Sequence, residues 1–446
     1  MDRTNSLTRP LALAPRWWEQ AIGVMRESPR TTNRTLRDVA DDLDRIADLG
    51  FDVIELFAPS HGGTTYEGLD VIEFDVIDPA LGTMDDFMTL VQECHRRGIA
   101  LVAFLNLGYV NERYAPFVRA CDAMRENLVT DDTRQFIWAN SPDKVLPYPV
   151  SEHFLQGSDG RWLWSDRAQH YFWVKWEGES GDAVLPQLNW GDPGWRREAA
   201  RIMDFWRTAG IDGVVLDAVN WYVGCDWAGI RALTIEAGSP GYSHPEGSGG
   251  FHDDPAPWVA SGGFTVMMDY SLRNWWEGFD LLRDAVATGD FRSIEHALTG
   301  YRDSVAAAGG ICYINPPRPE PEHISEARLA AAVIATVGEL YYEPLGIERL
   351  SPEEQKITQE MLELRRDYPS LTARGPRTVV LCSAPSVYAF LRGSDSDRVL
   401  VALNFSADAV IAVCEVPGGA ERGAASVAVN LGPHDFVVVG LPHRSR

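Results

Sequence analysis

The chain has 446 residues, 45% of them hydrophobic and 10% aromatic, which allows a large core with smaller attached units. Its formal net charge of −24 repels phosphate backbones and anionic membrane surfaces, so neither nucleic acid nor membrane is an expected partner and a neutral small molecule fits better. Met1–Arg16 lacks the apolar run of a secretory signal, no stretch approaches the ~20 apolar residues of a membrane span, and the six cysteines show no metal spacing; a cytoplasmic protein with reduced, buried thiols is expected.

Strand-like and helix-like segments alternate from the start. Ala21–Met25 reads as a first strand. Leu36, Val39, Leu43, Ile46 and Leu49 share one helical face closed by Gly50, which predicts a helix over 36–49. Asp52–Phe57 is a second strand, Asp85–Arg97 a helix with Phe87, Leu90, Val91 and Cys94 inward, and Ile99–Leu105 a third strand. From Leu107 to Gln187 the alternation stops and aromatics crowd, among them Tyr109, Tyr114, Trp138, Trp162, Trp164, Phe172, Trp173 and Trp176. A structureless loop of that length is improbable in a compact domain, so 107–187 is expected to be an inserted domain. Its aromatics could stack on sugar rings; more of them are expected to form the insert's own core.

The alternation then resumes. Ile202, Phe205 and Trp206 fall at helical spacing before Gly210, and Val214-Val215-Leu216 is a buried fourth strand with Asp217 at its tip. A helix over Asp226–Ala237 leads to a fifth strand, Gly241–Pro245, and a sixth, Phe264–Asp269. Helices Trp275–Thr288 and Phe291–Ala307 precede the seventh strand, Gly310–Ile314; helix Ala327–Val337 precedes the eighth, Glu339–Glu343. Eight such units predict an α/β fold, a (β/α)8 TIM barrel built from 1–106 and 188–370. After a linking helix, Pro352–Arg366, only strand patterns follow, such as Val387–Leu391, Val399–Leu403 and Phe436–Gly440, so 371–446 is expected to be an antiparallel β-sandwich.

α/β barrels carry their chemistry at the C-terminal ends of the strands, which makes Asp217 the leading candidate. The stretch LPQLNWGDPGW (185–195), a helix, and then AGIDGVVLDAV (209–219) resemble the α-amylase family, glycoside hydrolase family thirteen. YEGLDVIEFDVIDPALGTMDDF (66–87) is similar to a second family segment, and VYAFLRG with RVLVALNFS looks like its C-terminal sandwich. The resemblance runs from about residue 20 onward. It implies a retaining α-glycoside hydrolase, transferase or isomerase acting on a small α-glucoside, with Asp217 as nucleophile. No Rossmann or phosphate-loop glycine pattern and no calcium-loop spacing occurs, so no cofactor or metal is expected.

Retaining enzymes need a second carboxyl group about 5–5.5 Å from the first, with a raised pKa, as acid and base. Glu246 and Glu236 compete for that role. Glu246 leaves room for the preceding crossover helix and is preferred. Asp70, Trp221, Tyr222, His244 and Asn315 are the expected substrate contacts, and His61, Glu67, Asn220, His252 and Asp253 are further polar candidates near the rim. The chain departs from the family in several places. Val215 stands where the resemblance expects Arg, Leu69 where it expects an aromatic, and Asn315-Pro316-Pro317 where it expects Asn-His-Asp. After the third strand the family's Asp and His are absent; Phe104, Gly108 and Tyr109, or with a shift Asn106 and Asn111, fall there. An altered active site is therefore expected. The alternative is an inactive or repurposed homologue that binds a sugar or performs other chemistry. A site plugged by Phe104 or Tyr109 would favour that alternative.

Overall fold

The computed structural model describes residues 16–64, 67–148, 153–154, 160–175, 184–236, 241–247, 254–274, 278–315, 324–372, 377–394, 397–417 and 425–441. Eight short, largely buried strands form the centre: β1 (Gly23–Glu27), β2 (Val53–Phe57), β3 (Ala100–Leu105), β4 (Gly213–Leu216), β5 (Tyr242–Pro245), β6 (Val266–Asp269), β7 (Ile311–Ile314) and β8 (Tyr341–Glu343). Parallel pairing runs β5–β4–β3–β2–β1–β8 and separately joins β6 to β7. The ring is completed by shorter links. Thr265 N–H donates to the Ser243 carbonyl at 3.1 Å beside β5 and β6, and Glu339 N–H donates to the Cys312 carbonyl at 2.7 Å between β7 and β8. The fold is the TIM barrel the alternation predicts.

Helices cover the barrel where the sequence supplies a start signal, an apolar stripe and a stop. Thr83 and Asp86 cap each other at the head of Met84–Arg96. Asp192 caps Pro193–Ala209 by accepting from Trp195 N–H, and Gly210 ends it at φ 108°, a left-handed turn that suits glycine. That helix buries Trp195, Ile202, Met203 and Trp206, and the Trp206 indole N–H donates to the Phe74 carbonyl at 3.0 Å.

Several predicted elements are divided. The helix over 36–49 is two, Leu36–Asp41 and Leu43–Leu49, meeting at Asp42. Asp226–Ala237 is an α turn, Trp227–Arg231, followed by a π turn, Ala232–Glu236. The helix predicted from Trp275 begins at Leu281, behind a small hairpin of Arg273–Asn274 and Phe279–Asp280. Phe291–Ala307 breaks into Arg292–Gly300 and Arg302–Ala307, because Tyr301 is pinned by its hydroxyl to the Met268 carbonyl at 2.7 Å. β1 lies two residues later than predicted, which brings Arg26 and Glu27 into the barrel wall.

Between β3 and β4 lie helices Ala115–Arg125 and Asp131–Arg134, which periodicity did not reveal, and an antiparallel sheet of Trp138–Ala139, Gly160–Ser165, His170–Lys175 and Leu185–Pro186. Its aromatics mostly pack on one another. Phe117 stacks on Trp138 at 6.0 Å and meets Phe136 and Phe172 at 4.9 and 5.0 Å, and Tyr114 packs on Phe74. Trp176 lies outside the described residues.

The C-terminal sandwich has one sheet of Thr378–Val379, Val387–Ser394, Asp397–Asn404 and Phe436–Gly440, and another of Leu381–Cys382, Val410–Val416 and Ala425–Leu431. Arg392 ties it to the barrel. Its guanidinium is 1% exposed and donates to the Thr336 and Val337 carbonyls at the end of helix Ile324–Val337, and to Leu371 at 3.1 Å. Arg392→Met strands those carbonyls without a charged donor, and each loss of this kind costs about 1–3 kcal/mol. Urea denaturation should therefore show a stability loss of at least ~2 kcal/mol; a loss below ~0.5 kcal/mol would mean that water replaces the guanidinium.

Candidate functional site

The ladder through β3, β4 and β5 extends one residue past the strands. Asp217 N–H donates to the Leu105 carbonyl at 2.9 Å, and Glu246 N–H donates to the Leu216 carbonyl at 2.9 Å. Since Leu216 is paired with Pro245, Asp217 and Glu246 stand side by side at the C-terminal rim. Strand alternation turns both inward, on the same face as Val215 and His244 one layer below. Glu246 therefore occupies the strand-end position, whereas Glu236 belongs to the π turn that precedes β5.

The turn after Asp217 is strained and aimed. Ala218 adopts φ 44°, a left-handed conformation that costs a non-glycine residue energy and persists where surroundings impose it. Its N–H donates to Glu246 Oε2 at 3.2 Å. Asp217 is 5% exposed, and its Oδ2 accepts a 2.7 Å hydrogen bond from the Tyr109 hydroxyl. Glu246 is half-buried. Burial first and the Asp217 charge second push its carboxyl up to about 7, against the Ala218 N–H and the charges of Arg26 and Lys175. At neutral pH one carboxyl group of the pair can thus carry a proton while its neighbour is charged.

Below the rim the barrel interior is unusually polar. Arg26 on β1 meets Glu55 on β2 at 3.2 Å and lies between the rings of Phe57 and Phe104, 4.3 and 4.7 Å from their centres. Glu55 also accepts from the Tyr342 hydroxyl at 3.0 Å. Sequence reasoning missed this pair; the signal was a Glu inside the apolar run of Val53–Phe57 and an Arg at the inward register of β1.

Several expected substrate contacts are interior residues. His244 is 1% exposed, its Nδ1 lies 3.0 Å from the Tyr313 hydroxyl, and burial followed by the Arg26 charge push its pKa down to about 3. It stays neutral and walled in. Tyr222 is stacked on Trp190 at 4.8 Å and its hydroxyl accepts from Leu107 N–H at 3.3 Å, so its ring is packing. Asp70 is fully buried and accepts from Asn111 Nδ2 at 2.8 Å, bracing the loop after β3. All three are thus held by contacts within the fold. Asn315 is 5% exposed, takes its place after β7 with N–H on the Asp269 carbonyl at 2.9 Å, and donates from Nδ2 to the Arg273 carbonyl at 3.3 Å. Trp221 ends the short turn Val219–Trp221, half-buried, and its carbonyl accepts from Gln187 Nε2. His61 pairs with Glu73 at 2.8 Å in the hairpin beyond β2, and Glu67 is exposed. Asn220 is buried in the same turn as Trp221. His252, Asp253, Pro316 and Pro317 lie outside the described residues. Among the described residues no group of three or more His, Cys, Asp or Glu forms a metal cluster, and no helix is long and apolar enough to cross a membrane.

Comparison with known proteins bears on the family and the fold. The family pattern described as "Alpha amylase, catalytic domain" matches residues 25–256. Trehalose-6-phosphate hydrolase of Escherichia coli is 29% identical over 215 residues, covering 46% of this chain and 36% of that protein. Oligo-1,6-glucosidase of Parageobacillus thermoglucosidasius is 26% identical over 211 residues, again 46% of this chain and 35% of the relative. The matched stretch thus spans about a third of these curated relatives. The crystal structure of Bacillus licheniformis trehalose-6-phosphate hydrolase superposes with a TM-score of 0.71 at 16% identity, covering 94% of this chain and 99% of that one. The α-amylase of H. orenii gives 0.71 at 19% identity, with the same coverages. At those identities the likeness is one of fold.

An infrared titration tests the site's electrostatics. The protonated-carboxyl band that disappears in Glu246→Gln should titrate with a midpoint near 7; a midpoint at the ordinary 4.5 would mean that water solvates Glu246 freely.

Proposed function

The chain belongs to the α-amylase family, and from that premise we propose that it acts on a small α-glucoside by double displacement with retention. Asp217 attacks the anomeric carbon while Glu246 protonates the departing oxygen. Glu246 then takes a proton from water or from an acceptor hydroxyl, whose oxygen displaces Asp217. Water as acceptor gives hydrolysis, and a sugar hydroxyl gives transfer or isomerisation. The observation that carries this reading is the pair itself: two carboxyl groups at adjacent strand ends, with Glu246 pushed up to about 7. The relatives named for α-glucosidase and oligo-1,6-glucosidase activity support a small α-glucoside as substrate. We also propose that 1–106 with 188–370, 107–187 and 371–446 are the structural units of the chain. The six cysteines show no CxxC or metal spacing, which supports a reducing, cytoplasmic compartment.

A second reading, a sugar-binding or repurposed descendant, is favoured by one specific feature. Tyr109 is 1% exposed and its hydroxyl holds Asp217 Oδ2, so it sits where a sugar would approach the nucleophile. With Val215 apolar and buried, β4 supplies no cation beside Asp217 either. Transition-state stabilisation is more sensitive to such changes than ground-state binding.

Two measurements separate the readings. If Glu246 is the acid, Glu246→Gln should lower kcat/KM for maltose by about 10²–10⁴ and for a dinitrophenyl α-glucoside by less than about tenfold, because a good leaving group needs no proton. Equal losses on both substrates would remove Glu246 from the acid role. Binding of maltose and trehalose by calorimetry, together with reducing-sugar release, decides between enzyme and binder. Turnover of maltose or starch is expected to lie well below the ~10 per second of typical enzymes. Rapid starch hydrolysis would refute an impaired site, and binding without turnover would establish the second reading.

A further inference from the structure

Two of the six cysteines stand directly opposite each other in the C-terminal sandwich. The short strand Leu381–Cys382 pairs antiparallel with Val410–Val416, which sets Cys382 against Cys414, 32 positions further along the chain. Their Sγ atoms are 3.4 Å apart. Ser383 N–H donates to the Val413 carbonyl at 2.9 Å, so the next pair along carries the ladder bond. The two kinds of pair alternate in an antiparallel ladder. Cys382 and Cys414 are therefore a pair without a mutual backbone bond, which places Cα atoms about 4.5 Å apart and brings the side chains together. That spacing lies within the ~4.4–6.8 Å between Cα atoms that a disulfide spans.

The pair sits where the chain enters the sandwich. Arg377 meets Glu295 of the barrel helix Arg292–Gly300 at 2.6 Å. Thr378–Val379 then pairs with Val387–Ser394 in one sheet, and Val380 N–H donates to the Ala389 carbonyl at 3.0 Å. Leu381–Cys382 already belongs to the other sheet, as its two-residue edge strand. The entry segment thus crosses from sheet to sheet and is held in the second one by very little backbone pairing. Cys414 is buried on the inner face with Ala412 and Val416, whereas Cys382 is half-buried. Cys94, Cys121, Cys225 and Cys312 are buried in the barrel and the insert, away from a dissolved reagent.

We propose that Cys382 and Cys414 are a redox modification site: a low-molecular-weight disulfide of the glutathione type oxidises them to a cross-strand disulfide, which staples the entry strand of the sandwich to its second sheet. The reading does not depend on Asp217 and Glu246. The chemistry is thiol–disulfide exchange in two steps. Cys382 Sγ loses its proton and attacks one sulfur of the reagent, expelling a thiolate that takes up that proton. Cys414 Sγ then loses its proton and attacks Cys382 Sγ, and the second thiolate leaves and is protonated. Two thiols of the chain are oxidised to one disulfide, and the reagent is reduced to two thiols. The order follows from the surroundings: burial first, and the Cys382 thiol second, hold the Cys414 thiol well above its ordinary range, so the half-buried Cys382 attacks first. In a reducing compartment the pair rests as two thiols and closes when the oxidised reagent accumulates.

The test exposes the reduced, folded full chain to oxidised glutathione, quenches with an alkylating reagent under denaturing conditions, and maps the cysteines by peptide mass spectrometry. Two of the six cysteines should escape alkylation, joined as a Cys382–Cys414 peptide, and dithiothreitol should restore both. The melting temperature of the oxidised chain should rise by at least about 4 °C, because closing a loop of this length narrows the unfolded ensemble. Cys414→Ser should instead keep a glutathione adduct on Cys382, since the second attack is lost. Six alkylated cysteines, a persistent adduct on Cys382 of the wild type, or a crosslink that moves the melting temperature by less than about 1 °C would overturn the proposal. An adduct absent from Cys382 in folded Cys414→Ser would overturn the order of attack. The wild-type map and melting curve answer the question should Cys414→Ser not fold.

Discussion

Two carboxyl groups held at the same level on adjacent strands of a parallel barrel cannot both be charged unless something pays for it, and the rest of this site is arranged around that constraint. Asp217 and Glu246 extend the β3–β4–β5 ladder by one residue, so their separation is set by backbone pairing rather than by flexible loops. Ala218, in a left-handed conformation, turns its N–H onto Glu246, and Tyr109 turns its hydroxyl onto Asp217. One carboxyl group is thereby stabilised by a phenol and the other by an amide, which makes them inequivalent before any substrate arrives.

The same logic extends downward through the barrel. A TIM-barrel interior is ordinarily layered with branched apolar side chains. Here Arg26, Glu55, His244, Tyr313 and Tyr342 replace part of that filling, linked by contacts of about 3 Å. A buried ion pair contributes little net stability against an apolar isostere, so its retention calls for another reason. Placing a cation under two carboxyl groups is one, since Arg26 acts on Glu246 and on His244 alike. The buried neutral His244 is a consequence of that cation and of its burial.

The barrel was legible because β4, β3 and β2 are short apolar runs separated by capped, amphipathic helices, and both signals are local. The strand-end place of Asp217 was legible for the same reason: it ends an apolar run that follows a glycine turn. Elements were misjudged where a tertiary contact overrides local preference, as at Tyr301, whose hydroxyl bond breaks a continuous apolar stripe. Asp70, Tyr222 and His244 are read as ligand contacts from sequence because they are polar or aromatic residues near strand ends. Their burial depends on partners far away in the chain: Asn111, Trp190 and Tyr313. Lys175 was not legible at all. Its contact with the Tyr109 ring depends on a ladder that joins the inserted sheet to the turn after β3, and no spacing in the sequence encodes that.

The central claim is that Asp217 forms a covalent bond to the sugar. A fluorinated α-glucosyl fluoride reacts quickly at the anomeric centre and leaves a glycosyl–enzyme ester that hydrolyses slowly, so the intermediate can be read by intact-mass and peptide mass spectrometry. The account expects one glycosyl adduct per chain, on the peptide containing Asp217, absent from Asp217→Asn. An adduct on a different carboxylate, or no adduct in a preparation that turns over aryl α-glucosides, would contradict it.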